Sequence, residues 1–294
     1  MLIDHEMMLE AVYRAALRRG DVAIDIGANV GRHTLAMSEA VGPEGKVFAY
    51  EPLPDVFHAL IANIEHAAGS LGASNIVARN LALGEEEGQA QFSFVTGDPA
   101  YSGFRERVLP QGLHAETISV PVQRLDNALA QIDQVKFVKI DAEGGELLIL
   151  RGGTALIAAH APIISFELGN NSLVNYPYTA ADYFDFFDQL DYAIYSIFGI
   201  PLERDELISA AQEQLFWDYV ALPRRALWPF GHEQLRVVIR QLGALPSEVR
   251  EWEARIRQAQ ERAEAAEAHL EALLGSTSWR VTAPLRRLSA LFLK

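Results

Sequence analysis

Three short stretches carry residues whose types and spacing could build a ligand site. The first is Asp25-Ile-Gly27-Ala-Asn29-Val-Gly31, directly after an apolar run. Glycine takes positive φ and lets a ligand touch the backbone, and asparagine tolerates the left-handed region better than most residues. The stretch therefore predicts a sharp strand-to-helix turn. In an open α/β sheet the ligand edge is the carboxyl end of the strands. A loop there would wrap the amino-acid part of a nucleoside cofactor, with Asp25 steering it through an amino group or an ordered water. The second stretch holds Glu51, roughly twenty residues further on, where an acid accepts hydrogen bonds from ribose hydroxyls. The third is Asn80-Leu81-Ala82, whose backbone groups would read an adenine edge while the Leu side chains pack on the ring.

A dinucleotide is the competing ligand. Its fingerprint is G-x-G-x-x-G, which lets pyrophosphate approach a helix N-terminus. Here the spacing is G-x-N-x-G, so a glycine is missing where pyrophosphate needs close approach. The loop suits an uncharged thioether better, and no acid on a hydride-transfer side is evident.

A second set of residues could handle protons or a cation. Lys139 and Asp141 share one face of a strand by its period of two, and Asp141 closes that strand. A charged lysine in a central strand is costly unless paired. A supporting Lys139–carboxylate pair and a catalytic Lys139 are equal readings. Asp141 faces the substrate or a metal, or caps the following helix, and Glu143 has the same two readings. Glu167 closes the next strand, with Asn170 and Asn171 just beyond. Asp141, Glu167 and Asn170 offer hard oxygens of the kind that bind Mg²⁺; the same acids would equally hold hydroxyls directly. His33, at the start of a helix, is either a base facing the substrate or simply a polar residue of the first turn. Tyr176, Tyr178, Tyr183, Phe184, Phe186 and Phe187 form a helix core, a wall beside the substrate, or both.

The elements that must position these residues follow from periodicity. Strands are predicted at 22–26, 46–50, 75–80, 89–95, 117–123, 135–140, 163–167, 192–197 and 215–221. Helices are predicted at 32–41, 55–66, 125–132, 146–160, with a weak point at Gly152-Gly153, and 180–190. Strands alternating with helices predict an α/β fold, Rossmann-like, around a mostly parallel seven-stranded sheet with an antiparallel edge strand. Residues 1–20 read as an amphipathic helix rather than a signal peptide, 21–223 as the main domain, and 224–244 as a linker or helical segment. Leu245, Val249, Trp252, Ile256, Ala259, Ala263, Ala266, Leu270 and Leu273 then alternate spacings of four and three, a coiled-coil seam over 245–274. Residues 275–294 form a basic amphipathic tail with Arg280, Arg286, Arg287 and Lys294.

Composition narrows the partners. The 294 residues are 50% hydrophobic, enough for a sizeable core, and contain no cysteine. Disulfides, a Cys-based zinc site and a thiol nucleophile are excluded. A net charge of −14 disfavours nucleic acid. The seam predicts self-association or packing back on the main domain. The tail predicts reversible contact with the anionic inner face of a membrane, or docking on the acidic body, and no stretch is long and apolar enough to span the bilayer.

Taken together, DIGANVGRHTL (25–35), AYEPLPDVFHALIANI (49–64), NLALGEEEG (80–88), VQRLDNAL (122–129), VKFVKIDAEGGELLILRGG (135–153) and PIISFELG (162–169) resemble the FkbM family of methyltransferases, in the family's order. The resemblance spans roughly residues 20–222 and implies the class I methyltransferase fold with S-adenosylmethionine as cofactor. It places the methionine moiety at Asp25, Gly27, Asn29 and Gly31, the ribose at Glu51 and adenine near Leu81 and Ala82. Ala142 stands where many members have Val, an apolar exchange expected to leave the chemistry intact. The acids after the two central strands are similar to those that bind magnesium in catechol-type O-methyltransferases. The segment 276–286 is similar to tails of bacterial polysaccharide-biosynthesis proteins. The expected activity is O-methylation of a sugar or glycan hydroxyl in surface polysaccharide biosynthesis, in the cytoplasm or at the inner membrane face. An O-methyltransferase of a soluble natural product or metabolite is the alternative, and a non-catalytic binding module on the same fold is a third.

Overall fold

The computed structural model describes residues 5–71, 75–96, 102–105, 114–130 and 132–224. The expected linker beyond Arg224, the coiled coil and the basic tail lie outside the described residues.

A helix, α1 (His5–Ala16), leads into the first strand-helix units: β1 (Val22–Ile26), α2 (Arg32–Val41), β2 (Lys46–Tyr50), α3 (Pro54–Leu71) and β3 (Ile76–Arg79). The strands of this unit pair in parallel. Further on, β7 (Phe137–Ile140) and β8 (Ile163–Glu167) add to the other side of β1 in parallel register. β1, β7 and β8 are buried along nearly their whole length. That is why they read as unbroken apolar runs: helices cover a parallel sheet on both faces.

After β8 come α7 (Asn170–Leu173), α8 (Ala180–Gln189), β9 (Tyr192–Ser196), β10 (Pro201–Leu202), α9 (Arg204–Gln212) and β11 (Asp218–Pro223). β11 runs antiparallel between β8 and β9, and β10 adds antiparallel to β9. The sheet order is β10-β9-β11-β8-β7-β1-β2-β3. The sheet is mostly parallel, as expected. It has eight strands rather than seven, because the two-residue β10 extends the edge, and β11 is inserted one strand further in. The aromatic segment after β8 is core. Phe166 lies between the Tyr183 and Tyr219 rings, with centroids at 5.8 and 5.7 Å.

A smaller sheet of β4 (Ala82–Leu83), β5 (Gly88–Thr96) and β6 (His114–Gln123) flanks the carboxyl edge. Leu53, Val56, Ala82, Phe92, Val120 and Val122 form its apolar contact with the main body. The helix expected over 146–160 is two helices, α5 (Glu146–Gly152) and α6 (Thr154–His160), following the short α4 (Leu125–Ala128). A Cβ at Gly152 would sit 2.0 Å from the Gly84 carbonyl, and one at Gly153 would sit 2.7 Å from Leu125. The glycine pair therefore lets two segments approach at the break. Among the described residues, no helix is long and apolar enough to cross a membrane.

Candidate active site

The carboxyl edge of the sheet opens into a cleft of about 430 Å³, within the range of small-molecule sites. One end is built by the turn after β1. Gly27, Asn29 and Gly31 have φ of 75°, 49° and 95°, the left-handed conformation their residue types tolerate. The Gly27 and Ala28 amides bond to the Tyr50 carbonyl at the end of β2. Gly27 has a second constraint: a Cβ there would lie 1.7 Å from the Asp141 carbonyl oxygen. Gly27 and Asn29 line the cleft. Gly31 lies outside the lining and starts α2, packed against Leu60.

Glu51 borders the cleft just after β2 and is nearly buried. Its oxygens accept the Asn29 and Leu53 amides, each at 2.9 Å. Burial pushes its pKa up to about 7, and the two N–H bonds oppose the shift. The acid thus ties the glycine turn to the segment after β2. Asn80 reinforces this by donating to the Glu51 and Pro52 carbonyls. Leu81, Ala82 and Phe92 line the cleft on this side.

Beneath the turn lies a buried ion cluster. Lys139, 3% exposed, reaches Asp25 at 3.4 Å, Asp141 at 3.3 Å and the Gly27 carbonyl at 3.3 Å. Register explains the pair: Asp25 and Lys139 are neighbours across β1 and β7. Burial works against the ammonium, but Asp141 and Asp25 outweigh it and raise its pKa. Lys139 is a fixed cation outside the lining. Asp25 is likewise buried outside the lining, its other oxygen taking the Thr34 hydroxyl. The expectation that Asp25 reaches the cofactor is corrected: strand alternation aims it at Lys139.

His33 is also corrected. It is 6% exposed and outside the lining, with Nε2 on Glu6 at 2.5 Å and Nδ1 facing the Tyr13 hydroxyl at 3.2 Å. It fastens α1 to α2 and does not face a substrate.

From its middle to its far end the cleft is acidic. Asp141, Glu143 and Glu167 line it, and one oxygen from each lies within 4.8 Å of the others. Glu143 sits at φ 53° in the turn after β7. Of the expected Asp141–Glu167–Asn170 set, Asp141 and Glu167 come together with Glu143 beside them, whereas Asn170 is exposed at the start of α7 and outside the lining. Tyr176, Tyr178, Tyr183 and Phe187 are buried and outside the lining; they are core.

Sequence reasoning missed several residues in or beside this site, among them Glu6, Trp217, Asp218 and Glu146. Glu6 reaches the cleft from α1; its bond to His33 holds its pKa low. Trp217 and Asp218, at the start of β11, line the far end. Asp218 sits beside Glu167 in register, and burial, then Asp141, lifts it to about 7. Glu146 accepts the Ala142 and Gly144 amides and the Tyr183 hydroxyl, fixing the turn that carries Asp141 and Glu143. Only Glu146 left a local trace, an acid opening a helix after two glycines. The others come from segments remote in sequence.

The parallel order around β1, the antiparallel insertion of β11, and a cleft headed by a glycine turn at the carboxyl edge define a Rossmann-like class I methyltransferase fold. Comparison with known proteins is more specific. The chain belongs to the FkbM methyltransferase domain family, whose model matches residues 25–194. Among its relatives, the hexuronic acid methyltransferase AglP of Haloferax volcanii is 29% identical over 150 residues, 51% of this chain and 57% of that protein. The 31-O-demethyl-FK506 methyltransferase FkbM of Streptomyces tacrolimicus is 30% identical over 165 residues, 46% of this chain and 60% of that protein. The chain thus spans less than two thirds of either relative. The crystal structure of methyltransferase FkbM from Methylobacillus flagellatus is 17% identical, with a TM-score of 0.43 over 76% of this chain and 56% of that one.

Proposed function

We propose that this chain transfers a methyl group from S-adenosylmethionine to a hydroxyl of a sugar or glycan. The observation that carries the reading is a single cleft joining the glycine turn and Glu51 at one end to a group of carboxylates at the other. The relatives named for hexuronic acid and 31-O-demethyl-FK506 support oxygen as the target and a sugar as one class of acceptor.

In this reading Gly27 and Asn29 receive the methionine part of the cofactor, Glu51 accepts the ribose hydroxyls, and Leu81 and Ala82 face the adenine. Lys139 and Asp25 hold the turn from below without touching the ligand. Bound there, S-adenosylmethionine supplies an electrophilic methyl carbon on a sulfonium. Asp141 accepts the hydrogen bond of the acceptor hydroxyl, aims its oxygen and takes its proton. Lys139, 3.3 Å away, donates to Asp141 and fixes its position. Glu143 flanks the same position, held by the Glu146-capped turn. Effective catalysis here rests on orientation and a dry cleft more than on a strong base.

The Asp141→Asn variant tests this: kcat falls at least tenfold while cofactor affinity holds. Unchanged turnover with intact cofactor affinity removes Asp141 from that role. The 4.8 Å grouping of Asp141, Glu143 and Glu167 supports a second reading, in which Mg²⁺ assists the hydroxyl. Full activity after treatment with a chelator rules it out.

A further inference from the structure

We propose that the β8–β11 end of the cleft is an acceptor subsite in which Trp217 stacks on a neutral or amino-bearing polyhydroxylated ring, and which rejects anionic acceptors. This rests on the cleft being a methyl-transfer site and deepens that reading.

Trp217 is 42% exposed, the one aromatic among the large hydrophobic residues left exposed in the described part of the chain. Its carbonyl accepts the Leu168 amide at 3.1 Å, which fixes its backbone at the end of β8. Trp217 is among the residues that line the cleft. An indole left in water offers a flat apolar face, and the C–H face of a sugar ring or an ammonium group covers such a surface well.

The polar groups of that end have a definite hydrogen-bonding sense. Glu6, Asp141, Glu143, Glu167 and Asp218 all border the cleft, and no Lys or Arg does among its described lining. Ionised carboxylates accept and never donate, and Asp218, lifted to about 7, joins them as pH rises above that value. The cations beside these acids are already engaged, Lys139 by Asp25, Asp141 and the Gly27 carbonyl, and Arg32 by Glu6 at 3.8 Å. Hydroxyls and ammonium groups donate to such a surface. A uronate or a phosphate brings more acceptors and more negative charge, so the acceptor inferred for this chain differs from the one the hexuronic acid relative is named for.

Glu167 and Asp218 stand away from the Glu51 end of the cleft. From β2 to β11 the sheet counts four strand spacings, β2-β1-β7-β8-β11, or roughly 19 Å. Glu51 and Asp218 therefore stand at opposite ends. Asp141, just after β7, is at the middle, where methyl transfer would occur. Glu167 and Asp218, beside Trp217, lie on the acceptor side.

The test uses the full chain saturated with S-adenosylhomocysteine, titrated with methyl β-D-glucopyranoside, its 2-amino analogue and the matching 6-uronate, and read by saturation-transfer NMR. The first two are expected to bind, with the uronate at least tenfold weaker. Trp217→Ala weakens the first two at least fivefold and leaves S-adenosylhomocysteine affinity within twofold. Asp218→Asn narrows the gap for the uronate. A uronate that binds as tightly as the neutral sugar overturns the proposal. So does a Trp217→Ala variant with unaltered sugar binding, or a loaded protein that binds none of the three, and in these cases the cofactor reading stands. Failure of S-adenosylhomocysteine itself to bind takes down both.

Discussion

Glu51 serves as scaffold and ligand-facing group at once. Its carboxylate holds the Asn29 and Leu53 amides and still borders the cleft. Glu51→Gln keeps one acceptor oxygen, replaces the other with a donor, and faces an amide N–H with it. The protein is expected to stay folded while S-adenosylmethionine affinity falls about tenfold, near 1.4 kcal/mol, as read by calorimetry. Gly27→Ala acts differently: at φ 75° and 1.7 Å from the Asp141 carbonyl, a methyl group has no room. A loss of roughly 2 kcal/mol or more in denaturant unfolding is expected. The glycine turn and Glu51 were legible because their chemistry is local: positive φ and an acid at a strand end. The direction of Asp25 was not, since it depends on which residue of β7 lies alongside.

At the scale of elements, the central strands are fixed to each other by charge as well as by hydrogen bonds. Lys139→Met leaves Asp25 buried beside Thr34 without its cation. The expected cost is about 3–5 kcal/mol. Asp25→Asn combined with Lys139→Met restores most of that loss, so denaturant unfolding of the two singles and the double gives strongly non-additive values. Additive losses would show that the pair is not coupled. The bounds of β1, α2, β2 and β8 match the sequence-based ones, because strands buried on both faces and capped by turn residues leave strong local patterns. The small β4-β6-β5 sheet and the insertion of β11 were less legible. They depend on pairing between segments far apart in sequence, and β6 is largely exposed over its first half.

Across the whole molecule, acids crowd the carboxyl edge of a chain that already carries a net charge of −14. Burial raises Glu51 and Glu146 to about 7, whereas in the unfolded chain they titrate near 4.5. The folded state therefore holds their protons more tightly. The stability they contribute is full at low pH and is lost as pH rises from about 4.5 through 7. The ligand-free protein is expected to melt higher at pH 6 than at pH 8. Glu146→Gln, which keeps an acceptor for the Ala142 and Gly144 amides, is expected to flatten that slope, Glu146 alone accounting for about 3 kcal/mol across the window. The most direct measurement for the account as a whole is titration calorimetry of the full chain with S-adenosylmethionine, S-adenosylhomocysteine and NAD⁺. Saturable one-to-one binding of the first two, at micromolar affinity or better, with no heat from NAD⁺, is the predicted result. Silence with both methyl-donor ligands, or binding of NAD⁺ in their place, contradicts it.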